Sequence, residues 1–351
     1  MTTGIDDERV TRWLLDQIEG LTAPFTFELI TGGRSNLTFR VTDAEGRRLV
    51  LRRPPTSHVL ASAHDMSREH RIISALAGTD VPVPPALGFC EDPEVNGAPF
   101  YVMDFVEGHI LRSAAEVEKL MDLDTQRATG MHLVEVLAAL HAVDVDAVGL
   151  GDLARRDGYI ERQLKRWHGQ FQRSQEQEKE GGFFRPATIV DEVHDRLAAS
   201  IPEQQGVSIA HGDYRLDNTM ISDEGRVAAV LDWELCTLGD PLADVGTLFV
   251  YWADRPAEGG GDVRMRGATQ APGMPTKAEL AERYGELSGR DVASLPYYVA
   301  FGHWRLACIV EGVFARYAAG AMGDQSAAAE GFASQTIARA EMAMSVLDGS
   351  L

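Results

Sequence analysis

The chain has 351 residues, with 53 Asp and Glu against 33 Lys and Arg, a formal net charge of −20. At 44% hydrophobic and 25% charged it can bury a sizeable core and does not read as a disordered chain. So acidic a protein is poorly suited to nucleic acid, because neutralising phosphates takes a surplus of Lys and Arg.

Cys90, Cys236 and Cys308 are too few and too scattered for a disulfide framework or a zinc site. No apolar run is long enough to cross a bilayer, and the polar, acidic start resembles no leader. The expectation is a soluble cytoplasmic protein with no membrane partner.

In chain order, residues 7–19 have helical spacing, with Val10, Trp13, Leu14 and Ile18 on one stripe. Residues 25–53 alternate and are broken at Gly32-Gly33 and Glu45-Gly46, which predicts two or three antiparallel strands. Pro54-Pro55 ends this segment. A helix is expected over 67–76 and strands over 86–90 and 100–105. After Gly108 long helices dominate, at 128–140, at 159–180 and from 243 onward, around a strand-like interlude at 207–231. The Gly- and Pro-rich stretch 255–275 reads as an exposed loop. The fold class expected is α+β with two lobes: a β-rich one over 1–106, a small antiparallel sheet with one helix, and a mainly helical one over 107–351.

The chemistry concentrates in Ile209-Ala-His-Gly-Asp-Tyr-Arg-Leu-Asp-Asn218 and Val227-Ala-Ala-Val-Leu-Asp-Trp-Glu234. A hairpin centred near Gly225 makes Asn218 and Asp232 equidistant from its turn, so pairing brings both to one open end. One carboxylate and one amide oxygen suit Mg²⁺, with phosphate oxygens and water completing its shell. Asp213, upstream, is left to accept a proton from an attacking hydroxyl, with Arg215 beside it in the catalytic group.

His211-Gly-Asp-x-x-x-x-Asn218 followed by Leu231-Asp232 resembles the aminoglycoside phosphotransferase and choline-kinase-like group, which shares the protein-kinase fold. The resemblance implies ATP as co-substrate, Asp213 as base, and Asn218 and Asp232 as Mg²⁺ ligands. It implies that 101–108 is the hinge, with the Asp104 carbonyl and Val106 N–H meeting adenine and Met103 lining the pocket. Arg52, or Arg53, stands where the family usually has a phosphate-binding Lys, and Glu69 is its carboxylate partner. The turn Gly32-Gly-Arg-Ser-Asn36 closes over the triphosphate, with Ser35 and Asn36 in the nucleotide site. In Gly239-Asp-Pro-Leu-Ala-Asp244, Asp240 is expected to cap a helix and Asp244 to brace the catalytic loop, which His211 holds in shape.

The donor is legible in these motifs and the acceptor is not. Leu140-His-Ala-Val-Asp144 and Gly158-Tyr-Ile-Glu-Arg-Gln-Leu-Lys-Arg-Trp167 resemble the phosphotransferase module fused to acyl-CoA dehydrogenases. That implies a hydroxyacyl acceptor as its CoA thioester and a functional association with such dehydrogenases. Arg162, Arg166 and Arg173 fall within one angular window of a helix, and Arg155 joins them if the helix begins early. This stripe either receives the phosphates of an anionic tail or is a solvated face balanced by Glu176, Glu178 and Glu180. Trp304, Arg305 and Glu311 are expected to wall the acceptor site. Three alternatives stand beside this reading: an aminoglycoside O-phosphotransferase, a nucleotide-binding pseudokinase without turnover, and an oxidoreductase. The last lacks any G-x-G-x-x-G at a strand–helix junction.

Overall fold

A computed structural model describes residues 4–30, 36–56, 65–253, 266–319 and 326–349. In chain order the elements are α1 (Asp7–Gln17), β1 (Thr26–Leu29), β2 (Leu37–Thr42), β3 (Arg48–Arg53), α2 (Met66–Leu76), β4 (Ala86–Cys90), α3 (Pro93–Asn96) and β5 (Phe100–Asp104). There follow α4 (Ala114–Leu120), α5 (Leu123–Ala142), α6 (Tyr159–Gly181), α7 (Thr188–Ala199), β6 (Ser208–Ala210), β7 (Thr219–Ile221), β8 (Val227–Val230) and β9 (Thr237–Gly239). The last are α8 (Pro241–Tyr251), α9 (Lys277–Ser288), α10 (Leu295–Ala318) and α11 (Ser326–Leu347). The α+β class and the order of the N-terminal strands are as expected. Among the described residues no helix is long and apolar enough to cross a membrane.

The chain divides into two compact units, which do not follow one cut after residue 106. The first comprises Met1–Leu111, Asp144–Gly151 and Asp217–Leu235; the second comprises Arg112–Val143, Asp152–Leu216 and Cys236–Leu351. The hairpin carrying Asn218 and Asp232 therefore groups with the β-rich part. The reason is local pairing: His109 and Ile221 exchange backbone hydrogen bonds of 2.7 and 2.9 Å, and the Val230 N–H donates to the Pro82 carbonyl at 2.8 Å. Gly108, at φ 146°, allows this approach, since a Cβ there would lie 2.5 Å from the Ile221 carbonyl oxygen.

In the first unit the sheet runs β1-β2-β3-β5-β4, every pair antiparallel. The apolar stripe of α1, Val10 and Leu14, is buried in one core with Phe39, Val41, Leu49, Leu51, Phe100 and Val102. Strand alternation then sends Arg52 and Arg53 to opposite faces. Arg53 turns its guanidinium to the carbonyls of Gly4 and Asn96, a structural role. Arg52 sits opposite Tyr101 in register, on the face that carries the polar cluster described below.

In the second unit α10 is the central helix, packing against α6, α7, α8 and α11. It comes close to α8 where Gly246 lies against Tyr298: a Cβ on Gly246 would fall 2.5 Å from the Tyr298 carbonyl oxygen. The part of the expected exposed loop that is described, 266–275, is in fact partly core. Ala268, Ala271 and Met274 are buried, and Gln126 accepts the Gly273 N–H at 2.8 Å. Its small residues permit close packing on α5, which composition alone does not distinguish from a solvated loop.

Where α6 meets α10 an acidic pair is buried. Glu178 and Glu311 have no exposed surface; both accept from the Gln175 amide, and Arg185 Nη2 lies 2.7 Å from Glu311 Oε2. Burial, then the charge of Glu311, pushes the Glu178 carboxyl up to about 7. A carboxyl raised in the fold stabilises while protonated, so its contribution is whole below the ordinary glutamate range and is lost as pH rises through about 7. We expect the melting temperature to fall as pH rises from about 4.5 to about 7 and to level off above, by an amount equivalent to at most ~3 kcal/mol at ~1.4 kcal/mol per pKa unit. Glu178→Gln should flatten that fall; an equally steep profile in the variant would contradict the assignment.

Candidate active site

The predicted residues separate into two groups, one in each unit. In the first unit Arg52 is the centre. Its Nε lies 3.0 Å from Glu69 Oε2, and its Nη2 lies 2.5 Å from Asp232 Oδ1 and 3.8 Å from Glu234 Oε2. This resolves the choice between Arg52 and Arg53. Asn36, almost fully buried, donates its amide to Glu69 (3.2 Å) and to Glu234 (3.3 Å), and the Tyr101 hydroxyl donates to Glu69 at 3.0 Å. Burial pushes the Glu69 carboxyl up to about 7 against the pull of Arg52. Burial also opposes the charge on Arg52, but Glu69 and Asp232 hold that guanidinium above its usual range.

Asp232 follows β8 at φ 65°, the only non-glycine residue with positive φ among those described. Such backbone is strained for an L-residue, and it re-aims the side chain just where β8 ends. The register expected for the hairpin needs correction by one residue. Thr219 pairs with Val230, the Leu231 N–H donates to the Asn218 carbonyl at 2.8 Å, and a shift between Met220 and Ile221 adds a residue to β8. Asn218 is thus opposite Leu231, with Asp232 one step beyond at the same end.

Three carboxylates share one guanidinium here, and Asn36 Oδ1 is buried without a partner. An oxygen-only donor set with excess negative charge fits a hard divalent cation, which Asn218 and Asp232 could hold. No group of three or more His, Cys, Asp or Glu suited to a metal occurs among the described residues. Such a cation would therefore need phosphate oxygens and water to complete its shell.

Further along the sheet, Met103 is buried in β5, paired with Val50. Phe105 turns its N–H to the Arg48 carbonyl (3.4 Å), whereas the Asp104 N–H donates to Pro85 on the other side (2.9 Å). Asp104 Oδ1 also lies 3.6 Å from Arg47 Nη2. Ser35, with Gly32-Gly33 and Arg34, lies outside the described residues.

In the second unit β6 and β9 pair antiparallel and deliver residues 211–213 to their end. Asp244, in the first turn of α8, accepts the N–H groups of His211 (2.6 Å) and Gly212 (2.8 Å). Burial alone would raise its pKa, but His141 and His211, together with the Gly212 N–H, hold it below the usual carboxylate value. His141 Nε2 lies 3.4 Å from Asp244 and its Nδ1 2.8 Å from the Tyr284 hydroxyl, so the brace is itself braced. Asp240 caps α8 through the Leu242 N–H at 3.1 Å. His211 is buried and its Nδ1 accepts the Asp213 N–H at 3.2 Å. The expected roles of Asp240, Asp244 and His211 are those observed. Asp213 is left partly open, with Arg215 Nε 3.4 Å from Oδ2 and the Arg215 guanidinium 4.6 Å from the centre of the Tyr251 ring.

The acceptor expectations need correction. Trp304 has no exposed surface and donates its indole N–H to the Val190 carbonyl at 2.9 Å, so it is core and not a wall. Glu311 is buried with Glu178, which removes Glu178 from the solvated face assigned to it. The arginine stripe is not one surface: Arg162 folds back on the Arg155 carbonyl (2.7 Å), Arg166 lies 4.9 Å from the centre of the Trp167 ring, and Arg173 lines a groove with His168 and His194. Glu234, His141 and Tyr284 were not anticipated. The Asp232-Trp-Glu234 spacing could have flagged Glu234, whereas only the fold brings His141 to Asp244.

With this geometry in hand, residues 26–282 match the sequence signature of the Phosphotransferase enzyme family. The chain belongs to that family. This phosphotransferase is 34% identical to a Ralstonia eutropha protein provisionally named an aminoglycoside phosphotransferase, whose crystal structure superposes with a TM-score of 0.79 over 97% of this chain and 98% of that one. A mutant aminoglycoside phosphotransferase solved with ADP and hygromycin B shares the fold at 17% identity and a TM-score of 0.60, covering 97% and 99% of the two chains. The fold is protein-kinase-like, and the chain is a small-molecule phosphotransferase. Curated relatives include acyl-CoA dehydrogenase family member 10 of Mus musculus, 33% identical over 90% of this chain, and family member 11 of Gallus gallus, 33% identical over 83%. The phosphotransferase spans only 29% and 36% of their lengths.

Proposed function

We propose that the protein transfers the γ-phosphate of ATP, with Mg²⁺, to the hydroxyl of a small molecule, and that this acceptor is a hydroxyacyl-CoA. The braced loop carries the reading: Asp244 fixes the backbone of 211 and 212, His211 fixes the Asp213 N–H, and the Asp213 carboxylate remains partly open beside Arg215. A base needs that combination of fixed direction and access.

In this reading Arg52, oriented by Glu69, contacts the phosphates, and Asn36 belongs to the same nucleotide site. The Asp104 carbonyl and Val106 N–H meet the adenine edge and Met103 lines its pocket. Asn218 and Asp232 hold Mg²⁺, which supplies charge neutralisation at the phosphate oxygens. ADP in a solved neighbour supports the choice of nucleotide. The names of the curated relatives support an acyl-CoA acceptor and an association with dehydrogenases. Three buried free cysteines suit a reducing cytoplasm.

A second reading, a nucleotide-binding module without turnover, is favoured by one contact: Arg52 stands where a Lys is usual and already engages Asp232. Aminoglycoside phosphorylation is the alternative that the solved neighbours' names suggest. ADP release, measured over hydroxyacyl-CoAs, aminoglycosides and amino alcohols, separates the three. We expect turnover with the hydroxyacyl-CoAs. Release only with aminoglycosides would replace the acceptor, and none with any acceptor, despite ATP binding, would favour the second reading.

A further inference from the structure

Arg305 is a charge taken out of water without a counter-charge. It is 8% exposed, and among the described residues no carboxylate lies within ion-pair distance of it. Its Nη2 donates to the Gly212 carbonyl at 2.6 Å, its guanidinium carbon lies 5.3 Å from the centre of the Trp167 ring, and its Nε is buried without an acceptor. The acids of the neighbouring helix and its cap are spent elsewhere. Asp244 takes the N–H groups of 211 and 212, and Asp240 takes the Leu242 N–H and the Tyr298 hydroxyl.

A second guanidinium lies against the same ring. Arg166 is 4.9 Å from the Trp167 centre, reaches solvent, and likewise has no carboxylate partner among the described residues. Loss of hydration, then the charge of Arg305, pushes its pKa down. Burying the Arg305 charge beside the like charge of the exposed Arg166 is unfavourable unless something compensates it, and the aromatic face does so only in part. In a chain of net charge −20, two adjacent guanidiniums left unneutralised are the exception.

We infer that Arg166, Trp167 and Arg305 form a subsite for an anionic group carried by the acceptor, a phosphate or a carboxylate. Gly212, which Arg305 holds, immediately precedes Asp213, so the subsite adjoins the proposed base. The guanidinium fork can keep one N–H on Gly212 and offer the rest to an anion, which an ammonium could not do in the same plane. The assignment to the acceptor rests on the phosphotransfer reading, and it makes that acceptor an anion; a polycation meets two like charges here.

Calorimetric titration of the full chain, with ADP and Mg²⁺ saturating so that the nucleotide site is filled, tests this. The probes are CoA (phosphates), 3-hydroxybutyrate (a carboxylate) and pantetheine, a neutral counterpart of the CoA arm. At least one anion should bind while pantetheine does not, and Arg166→Gln should raise the Kd of that anion about tenfold, the effect of one charge-assisted contact. Which anion binds distinguishes phosphate from carboxylate. Arg305→Gln also removes a support of the loop, so the exposed Arg166→Gln carries the test. Pantetheine binding as tightly as CoA, an unchanged Kd in Arg166→Gln, or no binding of either anion overturns the subsite. Binding is read without turnover, so failure of every acceptor to yield ADP would count against phosphotransfer alone.

Discussion

Asp213→Asn should lower kcat by about 10²–10⁴, the usual contribution of a positioned general base, and leave the Kd for ADP unchanged. The substitution keeps the shape and removes the proton acceptor. Because the Asp213 N–H is held by His211 and the loop by Asp244, the amide should take up the carboxylate's place, so the loss would report chemistry and not disorder. The residues proposed to face the nucleotide, Arg52, Glu69 and Asn36, belong to the other unit, which is why affinity should survive. Coupled ADP-release kinetics and calorimetry on the same preparation measure both quantities. A kcat within tenfold of the parent would mean that Asp213 is not the base, and an equal loss of ADP affinity would mean that the variant is misfolded.

Most of the architecture was legible because its signals are local. Alternation over 37–53, the Gly-Asp-Pro start of α8 and the His-Gly-Asp loop each depend on neighbours in sequence, and each appears where expected. The failures share a different cause. Trp304, Arg305 and Glu311 lie within eight residues on one helix and look alike in sequence as polar or aromatic wall residues. In the structure the first is core and the third is a buried partner of Glu178, while the second, bonded to the Gly212 carbonyl, is the only one of the three that the acceptor proposal retains. Helical spacing tells which residues share a face, not which helix that face meets, and α10 meets four. The arginine stripe failed in the same way, since three side chains in one angular window turned to three different neighbours. The one-residue slip at Asn218 and Asp232 is of another kind. A bulge has no strong sequence signature, yet it changes which residues stand opposite each other.

Asp232 and Arg52 should be separable by their dependence on Mg²⁺. Arg52 Nη2 sits 2.5 Å from Asp232 Oδ1, so the carboxylate proposed for the metal has a cationic partner within the protein. Were Asp232 to hold Mg²⁺, the Arg52 guanidinium would keep Glu69 at 3.0 Å and Glu234 at 3.8 Å as partners. Arg52 would then not be left unpaired, whereas a lysine ammonium, a compact point charge, is less suited to engaging two carboxylates at once. Asp232→Asn removes the anionic ligand and spares the phosphate contact. We expect it to raise the Kd for ATP at least tenfold with Mg²⁺ present and hardly at all in EDTA, since one lost charge-assisted contact is worth about that factor. Arg52→Gln should weaken ATP in both conditions, because the lost charge faces phosphate whether or not a metal is bound. Titrations of both variants with and without Mg²⁺ decide the matter: identical patterns in the two would mean that Asp232 serves only as the partner of Arg52, and that the metal is held elsewhere.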